Sequence, residues 1–175
     1  MTETGRKIKS LTAFCYEFPP IGGGAGNALR HLCREWSAQG IEVTVVTSSQ
    51  FQKDITEASE GFSVIRINVG RKEVGRGRIP EMIRYMIRST LKGIELSRNR
   101  SSDLNIAFMS LPSGFAPWIL SKKFKTPYVT ELRGGDVPGF DPKHLNIYHS
   151  VLKPFTRSVW SRSSCLIANG SGLQS

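Results

Sequence analysis

The chain has 175 residues, enough for one ordinary domain with a buried core. With 39% hydrophobic and 22% charged residues it is globular in composition, which excludes a disordered, collagen-like or coiled-coil chain. Lys+Arg 24 against Asp+Glu 14 gives a formal charge of +10, which predicts attraction to phosphates, nucleic acid or anionic lipid and leaves the fold open. The three cysteines, Cys15, Cys33 and Cys165, are odd in number, far apart and without Cys-x-x-Cys spacing. They read as buried reduced thiols, not as a disulfide framework or a zinc site. The start lacks the apolar core of a secretory signal, and no stretch approaches the ~20 apolar residues that span a bilayer. The expectation is a cytoplasmic protein that is peripheral at most to the inner membrane face.

In chain order, Ile8 to Phe14 reads as a first strand, followed by a Pro- and Gly-rich loop, Tyr16 to Asn27. A helix is predicted from about Ala28 to Gln39, with Leu29, Leu32, Cys33 and Trp36 on one face and Arg30, His31 and Arg34 on the other. Gly40 is its stop. Ile41 to Thr47 is rich in β-branched residues, as in a strand covered on both faces. Phe62 to Val69 alternates like a third strand, and Gly70 to Arg78 is a basic loop. Pro80 suits the first turn of a second helix, where Ile83, Ile87, Leu91 and Ile94 form one face and Arg84, Arg88 and Lys92 form another. Strands at Leu104 to Phe108 and Pro127 to Leu132 flank a third helix from about Ala116 to Phe124. A further helix within Leu145 to Ser163 is expected to kink or break at Pro154, and Cys165 to Asn169 is a last strand. Strand and helix alternate, which predicts an α/β, Rossmann-like, open and mostly parallel sheet with helices on both faces. Ligands bind such sheets beyond the carboxyl ends of the strands. Two unusual loops lie there, Tyr16 to Asn27 and Arg133 to His144.

Four glycines in five residues, Gly22, Gly23, Gly24 and Gly26, stand before the first helix, with Asn27 as a capping or ligand-contacting residue. Glycine lets a backbone approach a ligand closely, and a helix amino terminus favours an anion such as phosphate. A plain flexible turn is the competing reading. A dinucleotide site is disfavoured: Cys15 to Ile21 separate strand from glycines, and the second strand ends Val46-Thr47-Ser48-Ser49 without an acid. No Gly-Lys-Ser/Thr follows the glycines, which excludes a Walker A loop. His31 belongs to a polar helix face, and His144 and His149 have no metal-like spacing. Ser110 to Gly114 reads as a loop at the same sheet edge.

The segment from Tyr16 through Gly26, with Gly40-Ile41-Glu42-Val43-Thr44-Val45-Val46-Thr47, resembles the opening of group 1 glycosyltransferases, retaining enzymes of GT-B architecture. The likeness continues in order through Asp103-Leu104-Asn105-Ile106, Pro127 to Asp136, and Leu166-Ile167-Ala168-Asn169-Gly170-Ser171. The resemblance implies a single Rossmann-like, acceptor-side domain over residues 1–175. The donor-binding domain, with its paired glutamates, has no counterpart in these residues. It implies a nucleotide-sugar donor, a glycan or lipid-linked acceptor, hexosyltransferase-like chemistry in polysaccharide biosynthesis, and neither a metal nor another cofactor. Gly22 to Gly26 match the family loop that faces the diphosphate. Leu132-Arg133-Gly134-Gly135-Asp136 match a stretch that often reads Leu-His-Gly-x-Asp, so Arg133 replaces the family histidine. Arginine is a poor base but binds phosphate or carboxylate by its planar fork. Arg133 and Asp136 are thus the catalytic candidates, and Gly134 and Gly135 join the binding set. An ion pair between Arg133 and Asp136 is the competing structural reading.

Residues 71–100 carry nine basic and three acidic residues, hence +6 of the total charge. A solvated helix face and an anionic membrane contact are both open readings. Nucleic acid is disfavoured, since no recognised binding motif occurs and aromatics do not cluster among the basic residues. Turnover by these residues alone is expected to be negligible. A non-catalytic Rossmann-like module for a phosphorylated ligand or protein partner is the alternative.

Overall fold

The computed structural model describes residues 7–73, 77–133, 146–168 and 170, with the backbone alone for 146–152. Seven strands and four helices occur among them: β1 (Ser10–Phe14), α1 (Gly24–Ala38), β2 (Glu42–Ser48), β3 (Ile55–Ser59), β4 (Phe62–Ile67), α2 (Ile79–Asn99), β5 (Leu104–Phe108), α3 (Phe115–Phe124), β6 (Tyr128–Leu132), α4 (Asn146–Arg162) and β7 (Cys165–Ala168). The sheet order is β3-β4-β2-β1-β5-β6-β7, parallel except where β3 meets β4. The fold is therefore the expected Rossmann-like α/β sheet. The central strand β1 is buried along its whole length, as a strand covered on both faces must be.

Helices cover the two faces unequally. On one face α1 seals Leu11, Ala13, Val43, Val45 and Phe108 with Leu29 and Cys33. On the other, Tyr85 of α2 and Leu120 of α3 pack on Phe14, Val46 and Ile65. Farther along that face, Val159 of α4 reaches Ala107 and Tyr128.

Several expectations need correction. Helix α1 starts at Gly24, so the glycine run straddles loop and helix. The segment Ile-Thr-Glu-Ala-Ser gives no alternation, yet it forms β3. Glu60 and Gly61 both have positive φ and join it to β4 in a two-residue hairpin turn. A short polar edge strand also resists unwanted pairing, which is why its sequence looks unlike a strand. Helix α4 runs through Pro154 without a break. Cys15 and Cys33 are buried, but Cys165 on β7 is exposed.

The apolar face of α2 is not its buried face. Ile83, Ile87 and Leu91 are 50%, 55% and 61% exposed, and Ile94 is only partly buried. The buried face is instead Glu81, Tyr85, Ser89 and Gly93. Each has a physical reason. The Glu81 carboxylate accepts the Arg78 N–H (3.1 Å) and the Lys72 N–H (3.2 Å), closing the helix start. The Tyr85 hydroxyl donates to the Val46 carbonyl at 2.7 Å. A Cβ on Gly93 would stand 2.8 Å from Leu120 Cδ1 and 3.2 Å from Phe14 Cζ, so the small residue lets α2 lie close to the sheet and to α3.

Candidate functional site

The carboxyl edge of the sheet gathers the loops after β1, β5 and β6. Leaving β1, the Cys15 N–H donates to the Val46 carbonyl, and the peptide of Tyr16 is clasped from both sides. Its N–H donates to Ser113 Oγ at 3.0 Å, and its carbonyl accepts from Ser48 Oγ at 2.6 Å. Ser113 and Ser110 thus have structural roles. Ser110 Oγ accepts from Trp160 Nε1 at 2.7 Å, tying α4 to the loop after β5.

Beyond Tyr16 the glycines divide into two kinds. A Cβ on Gly26 would meet the Glu17 carbonyl oxygen at 2.7 Å and Phe18 Cα at 3.2 Å, so glycine there lets α1 rest on the loop. Gly22 has φ +90, and a Cβ would stand 2.6 Å from Glu17 Cβ. Gly23 and Gly24, by contrast, are exposed, with nothing within 4 Å of a built Cβ. They leave an open approach to the amino terminus of α1. The Gly24, Ala25 and Gly26 amides open the helix and lack intrahelical acceptors by geometry. The Asn27 N–H already donates to the Gly23 carbonyl at 3.2 Å. Asn27 is therefore an exposed first-turn residue and not the cap; Gly23 takes that position without a side-chain hydrogen bond.

Sequence reasoning missed what holds this loop. Arg71, at the start of the basic loop, is 4% exposed. Its guanidinium donates to Glu17 Oε1 at 2.8 Å and to Ser48 Oγ at 3.1 Å, and lies 4.9 Å from the centre of the Tyr16 ring. Buried Arg66 on β4 donates to the Pro19 carbonyl at 2.7 Å and to Glu57 of β3. Two buried cations thus pin the stretch from Glu17 to Pro19 beneath the glycines. Burial pushes the Tyr16 hydroxyl up to about 12 and the Cys15 thiol up to about 12, so neither ionises at neutral pH. The arginines gave no clear sequence signal, because a buried and a solvated arginine look alike without partners.

At the end of β6, Arg133 pairs with Glu131 at 2.5 Å and stacks 4.8 Å from the centre of the Phe108 ring. Phe108 packs in one cluster with Cys15 and Phe18, so Arg133 lies on the α1 side of the sheet, as the glycine loop does. β6 stands two places from β1, a separation of roughly 10 Å at ordinary strand spacing. Desolvation raises the Glu131 carboxyl above its ordinary range, and the Arg133 charge opposes that shift. Among the described residues, Glu131 is thus one partner of Arg133. Asp136, Gly134 and Gly135 lie outside the described residues, as does His144, and the side chain of His149 is likewise not described. His31 is exposed on α1. No group of three His, Cys, Asp or Glu residues is placed to hold a metal among the described residues.

A layered α/β sheet with an open glycine-fronted helix at its carboxyl edge is the Rossmann-like architecture that each half of a GT-B fold shares. Residues 23–175 match the family model of the glycosyl transferase 4-like domain, and the chain belongs to that family. Among solved structures it is similar to a sucrose-phosphate synthase from Thermosynechococcus elongatus, at 14% identity and a TM-score of 0.66 over 90% of this chain. The chain spans 41% of that protein's length. A second structure of a sucrose-phosphate synthase from the same organism aligns at 12% identity and a TM-score of 0.63, covering 94% of this chain and 78% of the other. At such identities the likeness is one of fold. A search of curated proteins finds no match.

Proposed function

We propose that this domain forms the acceptor-side half of a glycosyltransferase that moves a sugar from a nucleotide-sugar donor to a glycan or lipid-linked hydroxyl. The observation that carries this reading is the open amino terminus of α1 behind Gly23 and Gly24, on the same side of the sheet as Arg133. Amides at a helix start, with a partial charge of roughly +0.5, stabilise an anion, and a donor diphosphate is one. Arg133 supplies a fixed cation at the far side of that edge, held by Glu131 and Phe108. Its role is charge stabilisation and orientation, since a guanidinium does not accept a proton at neutral pH. In this reading Asp136 orients or deprotonates the acceptor hydroxyl, Gly134 and Gly135 line the approach, and the charges are met by amides and arginine without a metal. The donor's nucleoside end is held by a companion domain, so the 175 residues alone turn over negligibly.

Amide-resolved NMR titration with a nucleoside diphosphate tests the proposal. The Gly23, Gly24 and Ala25 amide signals are expected to shift selectively, and Arg133→Ala is expected to weaken the effect about tenfold, the worth of one charge-assisted contact. Unchanged glycine amides at millimolar nucleotide, or robust sugar transfer by the 175-residue chain, would overturn it.

A further inference from the structure

Helices α3 and α4 meet over a cleft that the site described above does not use. It measures about 310 Å³ and is lined by Trp118, Lys122, Ser158, Ser161 and Arg162. That is the small end of the ~300–1,000 Å³ range of small-molecule sites. The cleft lies toward the amino edge of the sheet. The Ser164 N–H, just past α4, donates to the carbonyl of Tyr128 at the start of β6. It is therefore at the opposite end of the strands from the glycine loop.

The charge of this region has one sign. Residues 115–125 and 146–168 contain six basic residues and no Asp or Glu, and no carboxylate lines the cleft. Helix α2 differs, since its Arg88 and Lys92 are neutralised by Asp54 and Glu95. Both cations of the cleft are held by uncharged groups. The Lys122 ammonium stands 3.4 Å from the centre of the Trp118 ring. Arg162 donates through Nε to Ser121 Oγ at 2.9 Å and through Nη2 to the Ser121 carbonyl at 3.4 Å, which leaves Nη1 outside both bonds. Cations near helix carboxyl ends ordinarily answer the helix dipole. Here Lys122 from α3 and Arg162 from α4 also converge on one small cavity, where they repel each other unless an anion lies between them. The serine hydroxyls donate back into α4, Ser158 to the Pro154 carbonyl at 2.9 Å and Ser161 to the Ser158 carbonyl at 3.4 Å. Rotation about one bond frees either to donate elsewhere. We propose that this cleft binds the phosphate group of a small soluble phosphate ester, with Lys122 on one wall, Arg162 on the other and the serine hydroxyls as further donors. A phosphate spreads its charge over oxygens that point in different directions, so it meets donors on two walls at once, and bonds from charged donors are the stronger kind. The bound ligand bridges α3 and α4.

NMR titration of the full chain with orthophosphate and with glycerol 3-phosphate tests this site, against sodium chloride and sodium acetate at matched ionic strength. The Trp118 indole signal and the Lys122 and Ser161 amide signals should move saturably at millimolar concentrations of either phosphate and stay still in both controls. The ester should bind at least as tightly as orthophosphate. Lys122→Gln, at an exposed position, should weaken phosphate about fivefold at unchanged melting temperature, the upper end for one exposed charge pair. Arg162→Gln should do the same. Phosphate at the start of α1 reports through other signals, so any Gly23 and Gly24 shifts should be identical in both variants, which separates this cleft from the donor site. Equal shifts with chloride or acetate, exclusion of the ester, or phosphate binding at Trp118 that is indifferent to Lys122→Gln would each overturn the proposal.

Discussion

Helices α1 and α2 carry similar amphipathic patterns and face opposite ways. In α1 the apolar stripe of Leu29 and Cys33 goes into the core and the charged residues go out. In α2 the isoleucines go out, and a glutamate, a tyrosine, a serine and a glycine go in. Periodicity reports that a helix has two faces; which one is buried depends on what it packs against. Helix α1 covers an aliphatic sheet surface and wants bulk. Helix α2 must squeeze between sheet and α3, close its own start with Glu81 and hold the Val46 carbonyl, and those tasks need small or polar residues.

Stability measurements bring out the contrast most strongly. Leu29→Ala on α1 is expected to cost about 3 kcal/mol by urea unfolding, through lost burial and a residual cavity. Ile87→Ala on α2, a similar truncation, should stay within about 0.5 kcal/mol. Equal losses would show that the isoleucine face is covered within the fold. The segments that precede the two helices come next. Arg71→Ala, in the loop before α2, should cost about 2 kcal/mol, because it strands the Glu17 carboxylate beneath the start of α1; the figure is reduced for the partial exposure of Glu17. Intact stability together with unshifted glycine amides would mean that the loops before α1 and α2 are held independently.

The smallest expected effect is a pH dependence from Glu131, on the α1 side of the sheet. Burial raises its carboxyl pKa in the fold, with Arg133 pulling the other way. A carboxyl raised on folding contributes stability below its ordinary value, and that contribution is lost as pH rises through the folded value. Glu131→Gln should therefore gain melting temperature relative to the parent as pH rises above the ordinary carboxylate range. A constant difference as pH rises would place the carboxylate in a wetter setting.

Much of the architecture was legible from residue order. The buried strands announced themselves by β-branched runs such as Val43 to Thr47, and Gly40 and Pro80 marked helix ends correctly. What escaped notice had physical causes. β3 is an exposed edge whose side chains answer to solvent and not to a core, and its Glu60-Gly61 turn was the one available cue. Helix α1 started earlier than propensity suggests because close contact between Gly26 and the Glu17–Phe18 backbone outweighs the poor helix-forming tendency of glycine. At the site, the glycines and Arg133 were visible as motifs. The Glu17–Arg71 pair joins residues 54 positions apart, and the Glu131–Arg133 contact depends on how the chain leaves a strand, so neither follows from spacing.

The double grip on the Tyr16 peptide has a mechanical corollary. Ser113 and Ser48 fasten the two peptide units on either side of the Tyr16 Cα to the turn after β5 and to the tip of β2, and Arg71, in the loop before α2, donates to Ser48 in turn. Three connections that would otherwise wander separately are geared into a single rigid brim. A ligand that displaces one of them is expected to disturb the others.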